Sequence, residues 1–223
     1  MRIDKMVRAI LRKQWEPVVR AELTDRAYNA MWPPETIDES DVIAWAQPIV
    51  DELMAAPDLD VIAAEFGTSI EAVLSHRISP MEITFKLYGP KELPMVGGSA
   101  GWGDITIRVP WETYETNSTG EVIEILVHEF AHMMDTAAGT NAPGAARGFE
   151  EWINSPDEQE AMKATIMEMM NTGYTDEQIL GLFYDHYDSL LDEQPQEDVE
   201  TFTRIIEELI ADVNSHYEPL VER

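Results

Sequence analysis

The stretch from Glu121 to Asp135, EVIEILVHEFAHMMD, constrains the fold more than any other part of the chain. Apolar residues recur in it at three- and four-residue spacing, which predicts a helix with one buried face. Ser118 and Glu121 have the spacing of a capping box, which predicts where this helix starts. The sequence therefore predicts an amphipathic helix that contains the pattern H-E-x-x-H.

The residues of this pattern are His128, Glu129 and His132. On a helix, two residues four positions apart lie one turn apart and point the same way. Both imidazoles can then reach one Zn²⁺ at about 2.0–2.1 Å. Glu129 can hold and deprotonate a water molecule on that metal. We therefore expect a zinc site on this helix.

The segment LVHEFAHMMD resembles the active-site helix of zincin metallopeptidases, particularly the gluzincin-like group with a minimal catalytic domain. The resemblance covers about residues 81–135. It implies a zinc peptidase in which Glu129 takes a proton from water and passes it to the leaving amine. It also implies that a strand before the helix pairs with an extended peptide or protein substrate. Gly98 to Thr106 is the candidate segment for this pairing, with an ordinary hairpin as the alternative.

The third zinc ligand is not part of the H-E-x-x-H pattern. Metzincins have a third histidine just after the motif, and MMDTAAGTNAP contains none, so that class is excluded. Minimal gluzincins have Glu-x-Phe near the start of a later helix, so the resemblance implies Glu200 of Glu200-Thr201-Phe202. Four other residues remain open as ligands: Glu197, His186, Glu150 and Glu151. Tyr184 and Tyr187 are candidates for stabilising an oxyanion. Asp135 is a candidate for orienting a ligand histidine.

Patterns elsewhere in the chain predict an α+β fold. Helices are predicted over residues 3–32 with a break near Pro17, from Asp38 or Ser40 to Met54, from Asp58 to Phe66, and over 156–171, 175–192 and 196–215. Alternating apolar residues predict two strands, one over Met81 to Leu87 and one over Ile105 to Val109. We therefore expect a mainly helical N-terminal region, residues 1–78, followed by a small zincin-like domain, residues 79–223.

The charge balance excludes several classes of partner. The chain has 43 acidic and 15 basic residues, which give a net charge of −28. Such a field repels nucleic acid and anionic membrane surfaces, so neither is an expected partner. The helix-turn-helix pattern around Gly67 is therefore interpreted as a structural helix pair. No stretch is long and apolar enough to span a bilayer.

The N-terminal segment is cationic, unlike the rest of the chain. Six of the 15 basic residues lie within residues 1–20: Arg2, Lys5, Arg8, Arg12, Lys13 and Arg20. We expect a helix that docks on the acidic body, with an arm that binds a protein assembly partner as the alternative. The segment lacks the apolar core of a signal peptide, which favours a cytoplasmic or particle-associated protein. The function that competes with peptide hydrolysis is a structural subunit of a larger assembly, such as a virus particle, that retains a zincin-like domain.

Overall fold

The computed structural model describes residues 16–23, 37–75, 80–89, 97–101, 103–138, 149–192 and 194–216. The chain separates into two compact units, residues 1–140 and 141–223. The described part of the first unit contains a sheet and helices, and that of the second is helical, so the predicted α+β class is confirmed. The boundary predicted at residue 78 falls inside the first unit, in residues 76–79, which lie outside the described ranges.

Four strands form the sheet of the first unit: β1 (Val18–Leu23), β2 (Glu82–Tyr88), β3 (Gly97–Ala100) and β4 (Asp104–Pro110). Their order is β1-β2-β4-β3, with β1 and β4 parallel to β2 and β3 antiparallel to β4. Buried residues alternate along β2 and β4, as the period-two pattern predicts: Ile83, Phe85, Leu87, Ile105, Ile107 and Val109. Within the described sheet, β3 is an edge strand that lies beside β4.

Strand β1 corrects the helix predicted over residues 3–32. That prediction is wrong for Val18–Leu23, where alternate side chains are buried as in a half-buried strand. Arg20 of β1 forms an ion pair with Glu82 of β2, and the nitrogen and oxygen are 3.0 Å apart. Cross-strand charge pairs of this kind and a β-branched start favour a strand over a helix. The rest of the predicted helix, residues 3–15 and 24–32, lies outside the described residues, as does most of the cationic N-terminal segment.

Five helices complete the described part of the first unit: α1 (Glu39–Ala55), α2 (Pro57–Glu65), α3 (Ile70–Ser75), α4 (Trp111–Thr116) and α5 (Gly120–Ala138). Helix α1 packs on β1 and β2, whereas α5 packs on β3 and β4 and also contacts α2 and α3. Asp38 caps α1 in a capping box with Asp41, at the predicted position. Gly67 makes the turn between α2 and α3 with a φ of 68°, so the predicted helix pair is confirmed.

The turn before α5 differs in detail from the predicted capping box. Helix α5 begins at Gly120, so Thr119 and not Ser118 directly precedes it. The Ser118 hydroxyl lies 2.8 Å from the hydroxyl of Thr116. Asn117 ends α4 in the left-handed conformation, with a φ of 55°. The backbone of Asn117 and the side chain of Ser118 therefore belong to the end of α4.

The described part of the second unit contains four helices: α6 (Phe149–Ile153), α7 (Pro156–Asn171), α8 (Asp176–Leu191) and α9 (Gln196–His216). The last three confirm the helices predicted in this region. Helix α9 packs against α6, α7 and α8. The methionines of α7 are buried core residues, as expected: Met162, Met167, Met169 and Met170. In neither unit does a described helix have an apolar run that could cross a bilayer.

Candidate metal centre

Two residues of the H-E-x-x-H pattern, His128 and Glu129, are among the buried residues of helix α5. Its apolar positions form the predicted buried face, and the largest contributors are Val122, Leu126, Phe130, Met133 and Met134. His128 is 9% exposed and Glu129 is 5% exposed, so both polar side chains are buried together with this face. Burial of polar groups is costly unless they have partners, so both side chains need polar partners at these positions.

The two histidines are close neighbours, as their spacing predicts. The ring centroids of His128 and His132 are 4.9 Å apart, and the ring planes meet at 83°. This edge-to-face arrangement follows from the one-turn separation of the residues on α5. A ring nitrogen of one histidine lies within 4.8 Å of a ring nitrogen of the other.

Glu158 completes a group that can hold a metal ion. It lies in the first turn of α7 and offers a carboxylate oxygen. One ligand atom each from His128, His132 and Glu158 lie within 4.8 Å of one another. Two imidazoles and one glutamate are also the protein ligands of several catalytic zinc sites, which keep a further position open for water. The donor set and its spacing therefore fit a metal ion.

Glu200, the ligand implied by the resemblance, lies outside this group. It is exposed on α9, where its carboxylate accepts a hydrogen bond from the Gln196 amide over 3.3 Å. The three other glutamates left open are exposed as well: Glu150, Glu151 and Glu197. His186 is half-buried on α8, and its ring lies 4.8 Å from that of Tyr187. The ligand roles of these residues stay predictions.

The structure shows what surrounds the three residues predicted to have supporting roles: Tyr184, Tyr187 and Asp135. The hydroxyl of Tyr184 bonds to that of Thr203, which ties α8 to α9. The ring of Tyr187 meets that of Phe202 edge-on, with centroids 5.5 Å apart. Asp135 is 8% exposed and lies one turn beyond His132 on α5. These contacts give both tyrosines a packing role, while a role of Asp135 in orienting a histidine stays a prediction.

Sequence reasoning missed Glu158, although a signal for it was present. Glu150 and Glu151, two of the candidate ligands, come shortly before it in the chain. Glu158 is the next glutamate along the chain, and it follows Ser155-Pro156. Serine followed by proline is typical of a helix start, which places the next residues in the first turn. That helix start was therefore a signal from which a carboxylate ligand in the first turn could have been predicted.

The candidate substrate segment, Gly98 to Thr106, begins at a residue that lies beside Glu129, and its Trp102 lies outside the described residues. It includes most of edge strand β3, the turn to β4 and the start of β4. It is thus an antiparallel hairpin and also an edge of the described sheet. Helix α5 packs directly on β3, and the Glu129 side chain reaches the backbone of Gly98. The arrangement places a buried carboxylate next to an edge strand.

Comparison of the chain with protein-family models, with curated proteins and with solved structures finds no match.

Proposed function

We propose that this protein is a zinc-dependent peptidase, with His128, His132 and Glu158 as metal ligands and Glu129 as general base. The observation that carries the proposal is the group formed by His128, His132 and Glu158. Between the two histidines, on the same helix, lies the buried Glu129. Zinc bound by these residues would supply a Lewis acid and lower the pKa of a water molecule to about 7. Hydrolysis of a peptide bond also needs a proton carrier beside that water.

Glu129 is suited to carry the proton. Its carboxylate would accept a proton from the attacking water and return it to the nitrogen of the leaving amine. Because Glu129 is 5% exposed, bulk water has little access to its carboxylate. A shielded carboxylate interacts more strongly with nearby charge than an exposed one does.

Strand β3 is the element of the first unit on which a substrate would lie. An extended peptide can add to the edge of a sheet through main-chain hydrogen bonds. Such a peptide would run along the edge strand that Glu129 touches. The proposed substrate is therefore an extended stretch of polypeptide rather than a folded surface.

The test compares the wild type with Glu129→Gln, using zinc content and casein hydrolysis as the two measurements. Glutamine has the size of glutamate but cannot take the proton, so we expect the zinc to stay and turnover to fall by about 10²–10⁴-fold. Glu121→Gln is the matched control, since Glu121 is exposed in the first turn of the same helix. We expect the control to behave as the wild type.

Two results would contradict the proposal. One is a purified wild type that holds no zinc even after zinc is supplied. The other is equal hydrolysis by the wild type and Glu129→Gln, which would leave a structural role in an assembly as the better explanation. His128→Ala and His132→Ala complete the set, because both should lose the metal if the histidines are ligands.

A further inference from the structure

Gly98 on strand β3 touches the Glu129 side chain more closely than any other residue type would allow. A Cβ atom added at Gly98 would lie 2.3 Å from Oε1 of Glu129, 2.6 Å from its Cγ and 2.7 Å from its Cδ. Carbon atoms in contact are ordinarily about 3.5–4.0 Å apart. The outer half of the Glu129 side chain therefore occupies the space that a side chain at residue 98 would need.

The backbone conformation does not explain the glycine. Among the described residues, the glycines with positive φ are Gly67, Gly103 and Gly173, so Gly98 has a conformation open to other residues. Glycine weakens a strand, because it costs entropy and contributes no side chain to packing. The register of β3 with β4 runs through Gly98 without a bulge, so close approach of another group accounts for the glycine.

Strand β3 is held where it is, so it cannot easily move away from Glu129. Gly98 pairs with Ile107 in the antiparallel register of β3 and β4. In addition, Nη2 of Arg108 donates a hydrogen bond to the carbonyl oxygen of Gly98 over 2.8 Å. A bond from a guanidinium is stronger than one between neutral groups. These contacts fix the Gly98 backbone against the adjacent strand.

We propose that Gly98 is a positioning residue: its bare Cα, held by Arg108, sets where the Glu129 carboxylate sits. The inference rests on the proposed function, in which that carboxylate carries the proton. The three atoms nearest to a methyl group at residue 98 would all belong to the flexible side chain of Glu129. The carboxylate would therefore turn away, while the helix and the two histidines stay in place.

The test is Gly98→Ala, with Gly120→Ala as the matched control. Gly120 starts α5, away from the proposed substrate strand, and a Cβ there would meet nothing within 4 Å. For Gly98→Ala we expect full zinc content, an unchanged KM and a kcat lower by about 10²-fold, because small misplacements of a reacting group cost that much. A crystal structure of this variant should show the Glu129 carboxylate displaced. Gly120→Ala should match the wild type in all four measurements.

A second background separates positioning from general damage. In Glu129→Gln the proton carrier is already lost, so adding Gly98→Ala should lower the remaining kcat no further. An equal fold loss in both backgrounds would overturn the inference, as would an undisplaced carboxylate or a fully active Gly98→Ala. A wild type without hydrolytic activity would instead refute the proposed function, so the two failures are distinguishable.

Discussion

The indole Nε1 of Trp45 donates a hydrogen bond to the side-chain oxygen of Asn117 over 2.9 Å. This bond connects α1 to the turn that ends α4 and precedes α5. Asn117 has a φ of 55°, in the left-handed region that asparagine tolerates better than most residues. Asn117 thus adopts the backbone conformation that the turn needs, and its side chain connects this turn, which precedes α5, to α1.

Replacing Asn117 should destabilise the first unit to a degree that depends on the new residue. Asn117→Ala and Asn117→Gly both lose the bond to Trp45, but glycine adopts positive φ freely. We expect Asn117→Ala to be less stable than Asn117→Gly by about 1–2 kcal/mol, the cost of the left-handed conformation for an ordinary residue. Urea unfolding of both variants measures the difference. Equal stabilities would show that the turn relaxes to another conformation.

The third ligand of the proposed zinc site can be tested with two matched glutamate variants. We expect Glu158→Gln to weaken zinc binding by more than about 100-fold, since loss of even an outer partner costs 10–100-fold. Glu200→Gln should leave zinc binding unchanged, because Glu200 is exposed and bonded to Gln196. Competition with a chelator of known affinity measures both. The reverse result would restore the ligand that the zincin resemblance implies.

An ion pair in the second unit predicts a dependence of stability on pH. Lys163 Nζ lies 2.8 Å from Oδ2 of Asp212, and its hydrogen bond and charge hold the pKa of Asp212 below the usual 3.8. A carboxyl with a lowered folded pKa stabilises the fold above its unfolded pKa and loses that effect as the pH falls through the folded value. The melting temperature of the wild type should therefore exceed that of Asp212→Asn at pH 7, and the two should converge as the pH falls below 3.8. A constant gap down to pH 2 would contradict this assignment.

The net charge of −28 predicts that salt stabilises the fold. Self-repulsion among acidic groups acts over about 30 Å at 0.01 M salt, over about 10 Å at 0.1 M and over about 3 Å at 1 M. We expect the melting temperature to rise between 0.01 M and 1 M sodium chloride. Sucrose at matched osmolality is the control, because it does not screen charge. An unchanged melting temperature in salt would mean that the acidic groups are already well separated.

The same charge predicts a preference among substrates if the protein is a peptidase. Two peptides with the same cleavage site, one flanked by lysines and one by glutamates, should differ in kcat/KM in favour of the lysine peptide. The field of the protein concentrates cations near its surface, and the effect should shrink as salt is added. A ratio of rates that does not change with salt would assign the preference to local contacts and not to the overall charge.

Local patterns were sufficient to predict much of the fold. The period-two alternation of Ile83, Phe85 and Leu87 marks β2, and the period of the residues around His128 marks α5. Both patterns are visible in the sequence because only one face of each element is buried, so apolar residues repeat with the period of that element. Strand β1 was not predictable in this way, since its partner lies far away in sequence. Its short apolar stretch fits a helix or a strand until β2 is present beside it.

Some residues of the candidate site could likewise be predicted from local sequence, and others could not. His128, Glu129 and His132 are fixed relative to one another by a single helix, so their spacing alone predicts their relation. Glu158 belongs to another helix, so the spacing of residues on α5 carries no information about it. The role inferred for Gly98 was equally inaccessible, because it depends on the distance between a strand and a helix.

The parallel pairing of β1 with β2 has a consequence for how the first unit acquires its structure. Arg20 and Glu82, which form an ion pair between these strands, are 62 positions apart in the chain. Closing so long a loop costs entropy before any contact compensates for it, and such topologies fold slowly. During synthesis, β1 must leave the ribosome well before its partner exists. We expect α1 and α2 to form early and β1 to join the sheet late, which a hydrogen-exchange pulse during refolding would reveal as delayed protection of residues 18–23.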